Sequence, residues 1–529
     1  MKIPGRKSRF AGNSLILSTI LVMAGLVLSK ASGFLRDIFV GIKFSDSVYR
    51  DSFTLAFSIP DLVYNLLIGG SIQSAITPSL SASIAAGEEK KGIRAVSIFI
   101  SFFALLLIFV CTLGVIFSPQ IYSIFSDGDT SEQIVNLAAN ASRWLFPQIV
   151  FMMLAALCIG ILNAYKRFES TSFGPTIYNT FVLIAIIVFA GNSLPQLMHT
   201  TCGIMGAAII YFAYQYIVGR DKLRAFRFIW APGDKDFHAL VRRALPILIS
   251  ASVVQINMVI LNYFAIRLPD SGYIYALRNA STTWQLPYGI FAVAIGNVML
   301  PSLAECYGKG DFKGASDLIS SRIKSALFLT IPSAGIMAVM NLEVIKAIFQ
   351  WNSAYREIDA IRAGQLLTGY SIAIITHSVV FIMNQAFYAI GKTRVPLMAG
   401  CIGLISNPVC CILLIPSLGA MGLTLSYSIT SILQMTLLCI VYCSYKQIRP
   451  RHMLGFTLKC ISSMMIMCVV ATFININAPV AHGKINELIS IAVKVLGSGI
   501  IYIGATLILR VPESRQFLNS ILGKFRKSK

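Results

Sequence analysis

Apolar runs of roughly 20 residues recur along almost the whole chain, separated by short polar connections. A run of that length crosses the ~30 Å hydrocarbon core of a bilayer as an α-helix. A backbone in lipid must also satisfy its own hydrogen bonds, which leaves helical bundles or closed barrels. The runs are too long and too uniform for barrel strands, which alternate over about 10 residues. Fourteen candidate spans lie near 14–41, 52–83, 93–118, 133–162, 173–193, 200–218, 239–266, 272–304, 323–348, 363–390, 395–417, 419–444, 456–477 and 486–509. The fold class is therefore an all-α polytopic membrane protein. The N-terminus, MKIPGRKSRF, is basic and no small-residue cleavage pattern follows it, which reads as an uncleaved first span.

Charge sets the expected orientation. With the N-terminus in the cytoplasm, inner segments with the adjoining parts of spans carry 32 of the 44 Lys and Arg, their outer counterparts carry eight, and the remaining four are Lys30, Arg36, Arg143 and Arg278. That bias predicts N-in and C-in and an even number of spans. It also accounts for most of the net charge of +22, so nucleic-acid binding is not needed to explain it. The inner loops, notably Arg220–Arg227 and the tail Lys524–Lys529, should attract anionic headgroups. The eleven cysteines are scattered through apolar runs without a CxxC, which suggests neither a metal site nor a disulfide framework. There is no P-loop, GxGxxG or nucleophile–base set, so neither an enzyme nor an ATP-driven pump is indicated and no cofactor is expected.

Four of the cations inside spans, Lys30, Arg36, Arg143 and Arg278, are the candidates for function. A charge at the bilayer centre costs roughly 3 kcal/mol on insertion scales, so it faces a cavity or a partner. Such cations suit an anionic or polar cargo. Lys30 and Asp37 are seven apart and share a helix face, whereas Arg36 points elsewhere unless the helix bends near Gly33. Cavity function competes with snorkelling to the interface for Arg36 and Asp37, and with interfacial anchoring for Arg278. Arg143, followed by Trp144, reads as an interfacial anchor. Asp61 follows Pro60, where a kink is expected, and is a candidate partner for Lys30 or Arg36. Asp51, beside Arg50 at an outer end, fits an outer gate or a solvated loop pair. Asn163, Asn179, Asn384 and Asn407 suit interhelical hydrogen bonds. His377 is a lone span histidine with a proton relay as its less favoured role.

Two segment pairs repeat in the same order. PSLSASIAAGEEKKG from Pro78 matches PSLAECYGKGDFKG from Pro301, 223 residues later, and NAYKRFESTSFGPT from Asn163 matches NQAFYAIGKTRVPL from Asn384, 221 later. This predicts two six-helix lobes, 1–220 and 221–446, with 447–529 as two extra helices and a basic tail. Transporters built from such repeats hold cargo near the midplane between the lobes and expose it alternately to each side.

Four segments, SKASGFLRDIFVGIKF (29–44), RDSFTLAFSIPDLVYNLLIGGSIQSAITPSLSA (50–82), GILNAYKRFESTSFGPTIYN (160–179) and YGIFAVAIGNVMLPSLAE (288–305), resemble the MurJ/MviN family of bacterial lipid II flippases. These belong to the multidrug/oligosaccharidyl-lipid/polysaccharide exporter superfamily, and the resemblance covers the whole chain. It implies a protein of the bacterial cytoplasmic membrane that carries undecaprenyl-diphosphate-linked disaccharide-pentapeptide to the outer leaflet. A cationic central cavity would hold the diphosphate, and the last two helices would form a groove for the lipid tail. Its partners would be lipid II or a similar polyprenyl-diphosphate glycolipid, membrane lipids and the cell-wall synthesis machinery.

Residue by residue, Lys30 falls where the family commonly has Arg, Arg36 and Asp37 match its Arg–acid pair, and Asp51 matches the acid opening the second helix. Tyr64 and Gly69 replace a cationic and an acidic position, and Thr282 stands where the family has Arg, with Arg278 one helical turn away. Residues 239–266 contain no Asp or Glu, although some members couple sodium through an acid there. Those departures keep three alternatives in view. They are a flippase for another lipid-linked glycan, a non-transporting scaffold, and a drug/cation antiporter, which would want an acidic cavity instead.

Overall fold

The computed structural model describes residues 25, 28–67, 76–167, 171–444, 450–477 and 483–527. Among them the regular structure is helical, without strands. The first part of candidate span 14–41 and Gly69 lie outside the described residues. Among the described residues, ten helices are long and apolar enough to cross a membrane. The remaining candidates, 14–41, 52–83, 173–193 and 239–266, coincide with shorter apolar helices or with segments only partly described.

The chain forms two compact units, Met1–Ile274 and Tyr275–Lys529. The first contains α1 (28–43), α2 (Ser47–Ala56), α3 (Ser58–Leu67), α4 (Thr77–Ala85), α5 (Glu89–Ile116), α6 (Asp129–Ala164), α7 (Gly174–Phe189), α8 (Leu194–Leu223) and α9 (Lys235–Ala265). Helix α6 is its centre, packed by α2, α5 and α8, with α7 on α8. Helix α9 packs on α3 and α5, and Phe237, Leu240 and Ala244 join the core built around Phe99, Phe146 and Leu157. This unit therefore runs one long helix past residue 220.

The connection 224–234 explains why α9 stays there. It lies along α5, where Ile229 N–H donates to Ser101 Oγ at 2.9 Å and Arg227 N–H to Ser97 Oγ at 3.4 Å. Trp230 stacks on Phe102 with ring centroids 6.0 Å apart. Asp234 then caps α9, accepting from Asp236 N at 2.9 Å and Phe237 N at 3.3 Å, with Arg94 Nε 3.5 Å away. Burial raises the Asp234 carboxyl, but the two amides and Arg94 outweigh it and hold it below the ordinary 3.8. A depressed native value means that this stability is complete above 3.8 and is lost as pH falls through the native value. Asp234→Ala should therefore cost about 1 kcal/mol at neutral pH, as lost caps do. In thermal unfolding at a series of pH values, the gap to the native protein should close only below the ordinary carboxylate range.

The second unit contains α10 (Tyr273–Gly308, its first two residues belonging to the first unit), α11 (Phe312–Val339), α12 (Asn341–Phe349), α13 (Glu357–Ala389), α14 (Arg394–Leu418), α15 (Ala420–Ser444), α16 (Pro450–Asn477), α17 (Lys484–Ile508) and α18 (Pro512–Lys527). Helix α13 is central, against α11, α12 and α15. The α13–α15 contact is near backbone to backbone. A Cβ on Gly369 would meet Leu425 N at 2.9 Å and Met421 O at 3.0 Å. Small residues permit such approach where lipid offers no hydrophobic drive for helix association. The last long pair packs on itself, and α16 also packs on α11.

Local chemistry shaped two boundaries differently from the apolar pattern. Candidate span 323–348 is two helices. α11 starts at Phe312 because an amphipathic segment with Lys313, Asp317 and Arg322 extends it, and it stops at Met340 before α12. Span 272–304 is one helix, but Pro287 has no N–H to return to the preceding turn, and a π-turn follows at Tyr288–Val293. The repeated inner loops close alike. Gly87 (φ +76°) and Gly310 (φ +72°) both take the left-handed conformation. Glu88 N–H bonds Ser83 O and Asp311 N–H bonds Cys306 O in the same 6→1 closure.

Candidate cation site

Arg36 leaves α1 half-buried, and its guanidinium folds back onto its neighbour. Nε and Nη2 each lie 3.0 Å from Asp37 Oδ1, and Nη1 donates to Asn179 Oδ1 of α7 at 3.2 Å. The Asn179 amide then donates to Ser29 O at 3.2 Å, and Thr176 Oγ1 to Gly25 O at 3.2 Å. Helix α7 thus grips α1 through polar side chains, and Asn179 sets the direction of Arg36. The near approach is visible at Gly33, where an added Cβ would lie 3.7 Å from the Asn179 amide nitrogen. Asp37 is buried, whereas Lys30, on the same helical face, is exposed. Asp61, exposed in the first turn of α3, contributes to the electrostatic field at Arg36, as does Tyr178.

This assembly places a fixed guanidinium with one carboxylate and one amide as partners. A guanidinium offers five donors, and such forks suit phosphate oxygens. Displacing Asp37 from it by an anion with two phosphoryl groups is an exchange of one charge-assisted set of bonds for another.

Asp51 lies elsewhere in chemistry and in role. It is 2% exposed, beside the fully buried Arg50, and its Oδ2 accepts from Gly272 N at 2.5 Å. Ser47 Oγ and Ser271 Oγ share a hydrogen bond of 2.7 Å in the same region. Gly272 has φ +102°, a conformation that favours glycine. Asp51 therefore fastens the α9–α10 turn to α2, and the reading of it as a solvated loop pair is corrected by its burial. Arg278 is half-buried on α10, with Thr282 one turn further on, also half-buried. Arg143 and Trp144 are both exposed on α6, in keeping with an interfacial anchor.

The kink expected at Pro60 is a break between α2 and α3 at Phe57. Two contacts there were not visible in the sequence. Tyr122 O–H donates to Ala56 O at 2.6 Å, and the Asn262 amide donates to Ser58 Oγ at 2.8 Å. Tyr122 satisfies the carbonyl to which Pro60 has no N–H to donate, and Asn262 ties α9 to α3. The only sequence signal was a polar residue inside an otherwise apolar run.

In the second unit a hollow of about 400 Å³ is lined by Pro287 of α10, Ile336 and Met337 of α11, Val344 and Ile348 of α12, and side chains of α17 such as Ile491. Its lining is almost wholly apolar.

Comparison with known proteins decides the family. The family model for lipid II flippase MurJ matches residues 42–491. The chain belongs to the MurJ family. A probable lipid II flippase MurJ of Buchnera aphidicola is 26% identical over 422 residues, covering 79% of this chain and 82% of the relative. Another, from Rickettsia prowazekii, is 24% identical over 508 residues, covering 94% and 98%. Among solved structures, a lipid II flippase MurJ in an inward closed conformation superposes with TM-score 0.75 at 22% identity, over 93% of this chain and 99% of that one. An inward-facing multidrug resistance MATE family transporter superposes at 0.64 with 15% identity, over 79% and 95%. These likenesses establish the fold shared by MurJ and its superfamily.

Proposed function

We propose that this chain carries lipid II from the inner to the outer leaflet of the bacterial cytoplasmic membrane by alternating access. The observation that carries the reading is the Arg36 site, a guanidinium held by Asp37 and Asn179 in a chain of the MurJ family. In this reading Arg36, Lys30 and Arg278 bind the diphosphate. Asp37 is the intramolecular counter-ion that the diphosphate displaces, Asp61 tunes the field at the site, and Asp51 acts as a fastening at the outer end. The apolar hollow beside α17 receives part of the polyprenyl tail, which remains at the level of lipid. The two compact units, Met1–Ile274 and Tyr275–Lys529, provide the moving bodies. An empty cationic cavity would be drawn inward by the membrane potential, at ~2.3 kcal/mol per charge per 100 mV across the full field. The basic inner loops would meet anionic lipid and components of the cell-wall synthesis machinery.

A second reading, a flippase for a different undecaprenyl-diphosphate glycan, follows from Thr282, which stands where the resemblance to the family implies Arg. Expression in a bacterium depleted of its own lipid II flippase tests both. Restored growth, with lipid II newly accessible at the outer leaflet, is the expected result. Good membrane expression without rescue would transfer support to the second reading.

A further inference from the structure

Six rings gather in the second unit. Trp284 and Tyr288 come from α10, Tyr370, His377 and Phe381 from α13, and Tyr427 from α15. The Trp284 ring lies 5.5 Å from Tyr288, 5.6 Å from both Tyr370 and His377, and 6.0 Å from Tyr427. His377 stacks on Tyr427 at 5.0 Å with 19° between planes. Core packing explains why rings meet. It does not explain their polar ends.

Tyr370 is a fully buried core residue near Ser281. Trp284 is 4% exposed, and among the described residues its indole N–H has no hydrogen-bond partner. A buried donor left without an acceptor is costly and uncommon in native structures. Around it Tyr288, His377 and Tyr427 are half-buried, so the cluster has an open side. Their hydroxyls and ring nitrogens likewise lack protein partners among the described residues. The π-turn begins at Tyr288, and such turns often mark functional positions in helices.

The chemistry of this box selects its ligand. No carboxylate or cation belongs to it, and the nearest charge in sequence is Arg278, six residues before Trp284 and ~9 Å along the helix axis. A cation would find ring faces but would leave the indole N–H without an acceptor. An alkyl chain would leave the indole N–H unsatisfied. A neutral ring with apolar C–H faces and acceptor oxygens at its edge satisfies both the aromatic faces and the polar ends. We propose that the box formed by Trp284, Tyr288, His377 and Tyr427 binds the N-acetylamino-sugar rings of a lipid-linked glycan, with the Trp284 N–H donating to a hydroxyl or acetamido oxygen. The inference rests on the flippase reading and divides the cargo, giving the phosphates to the cations and the sugars to the box.

The test uses the full chain in lipid nanodiscs with three probes. These are lipid II, undecaprenyl diphosphate without sugars, and soluble N,N′-diacetylchitobiose. Trp284→Phe keeps a ring and removes the donor, and Tyr427→Phe removes only a hydroxyl. Each should weaken lipid II binding about five- to tenfold, as the loss of one hydrogen bond does, and leave undecaprenyl diphosphate unchanged. Chitobiose should perturb tryptophan emission in the unmodified protein and not in Trp284→Phe, with Trp144, Trp230 and Trp351 as internal reference. Equal losses for both lipids, or no loss for either variant, would overturn the box and leave the flippase reading intact. Binding of neither lipid, with chitobiose still perturbing Trp284, would overturn the flippase reading and retain the box.

Discussion

Replacing Arg36 with Glu abolishes rescue of a flippase-depleted bacterium at equal protein level, and outer-leaflet lipid II falls by at least about tenfold. The reasoning is electrostatic. Arg36 now makes two contacts of 3.0 Å to Asp37 and one of 3.2 Å to Asn179. A carboxylate at this position would stand next to Asp37 and repel it, and would repel a diphosphate as well. Hydrogen bonds to charged groups contribute about 1.5–3 kcal/mol each, which converts to a ten- to hundredfold loss for one such contact. Arg36→Lys should retain part of the activity, because it keeps the charge and loses the fork. A scaffold that moves nothing would tolerate the reversal, so unchanged growth with Arg36→Glu would sink transport through this site.

Asp51→Ala should be among the most destabilising single changes in the first unit, by on the order of 3 kcal/mol. Its carboxylate is 2% exposed, it receives the Gly272 N–H, and it neighbours a guanidinium with no exposure at all. Truncation leaves the Gly272 N–H without this acceptor. Asp51→Asn keeps an acceptor for Gly272 and should lose clearly less. Thermal unfolding of the purified protein in detergent, followed by size-exclusion profile, separates the two variants. If Asp51→Ala unfolds at the native temperature yet fails in transport, the residue acts in gating and not as a fastening.

Helices with uniform apolar runs were legible because their signal is local. α5, α6 and α13 need only length and composition to be seen. Breaks were legible where one residue forces them, as Pro60 did between α2 and α3. The partners that make a break tolerable were not, because Tyr122 and Asn262 reach Ala56 and Ser58 across long sequence separations. The same limit applied to Arg36. Its charge and depth could be read, and periodicity set it apart from Lys30 and Asp37. That it would turn back onto Asp37 depended on Asn179, 143 residues away. Burial likewise separated Lys30 from Asp37 although heptad spacing joined them. The aromatic box drew its members from three helices, and in sequence His377 alone attracted notice.

The seating of α9 on α3 and α5 bears on how the gene can be dissected. A backbone nick within 224–234 divides the polypeptide near the lobe boundary expected from the repeated segments, yet strands α9 on the fragment that lacks its packing surface. A nick in the turn before Tyr273 keeps α9 with its neighbours and parts the two compact units instead. For split reporters, fragment co-expression or circular permutation, the junction that respects packing is therefore some fifty residues later than the one suggested by the repeated segments.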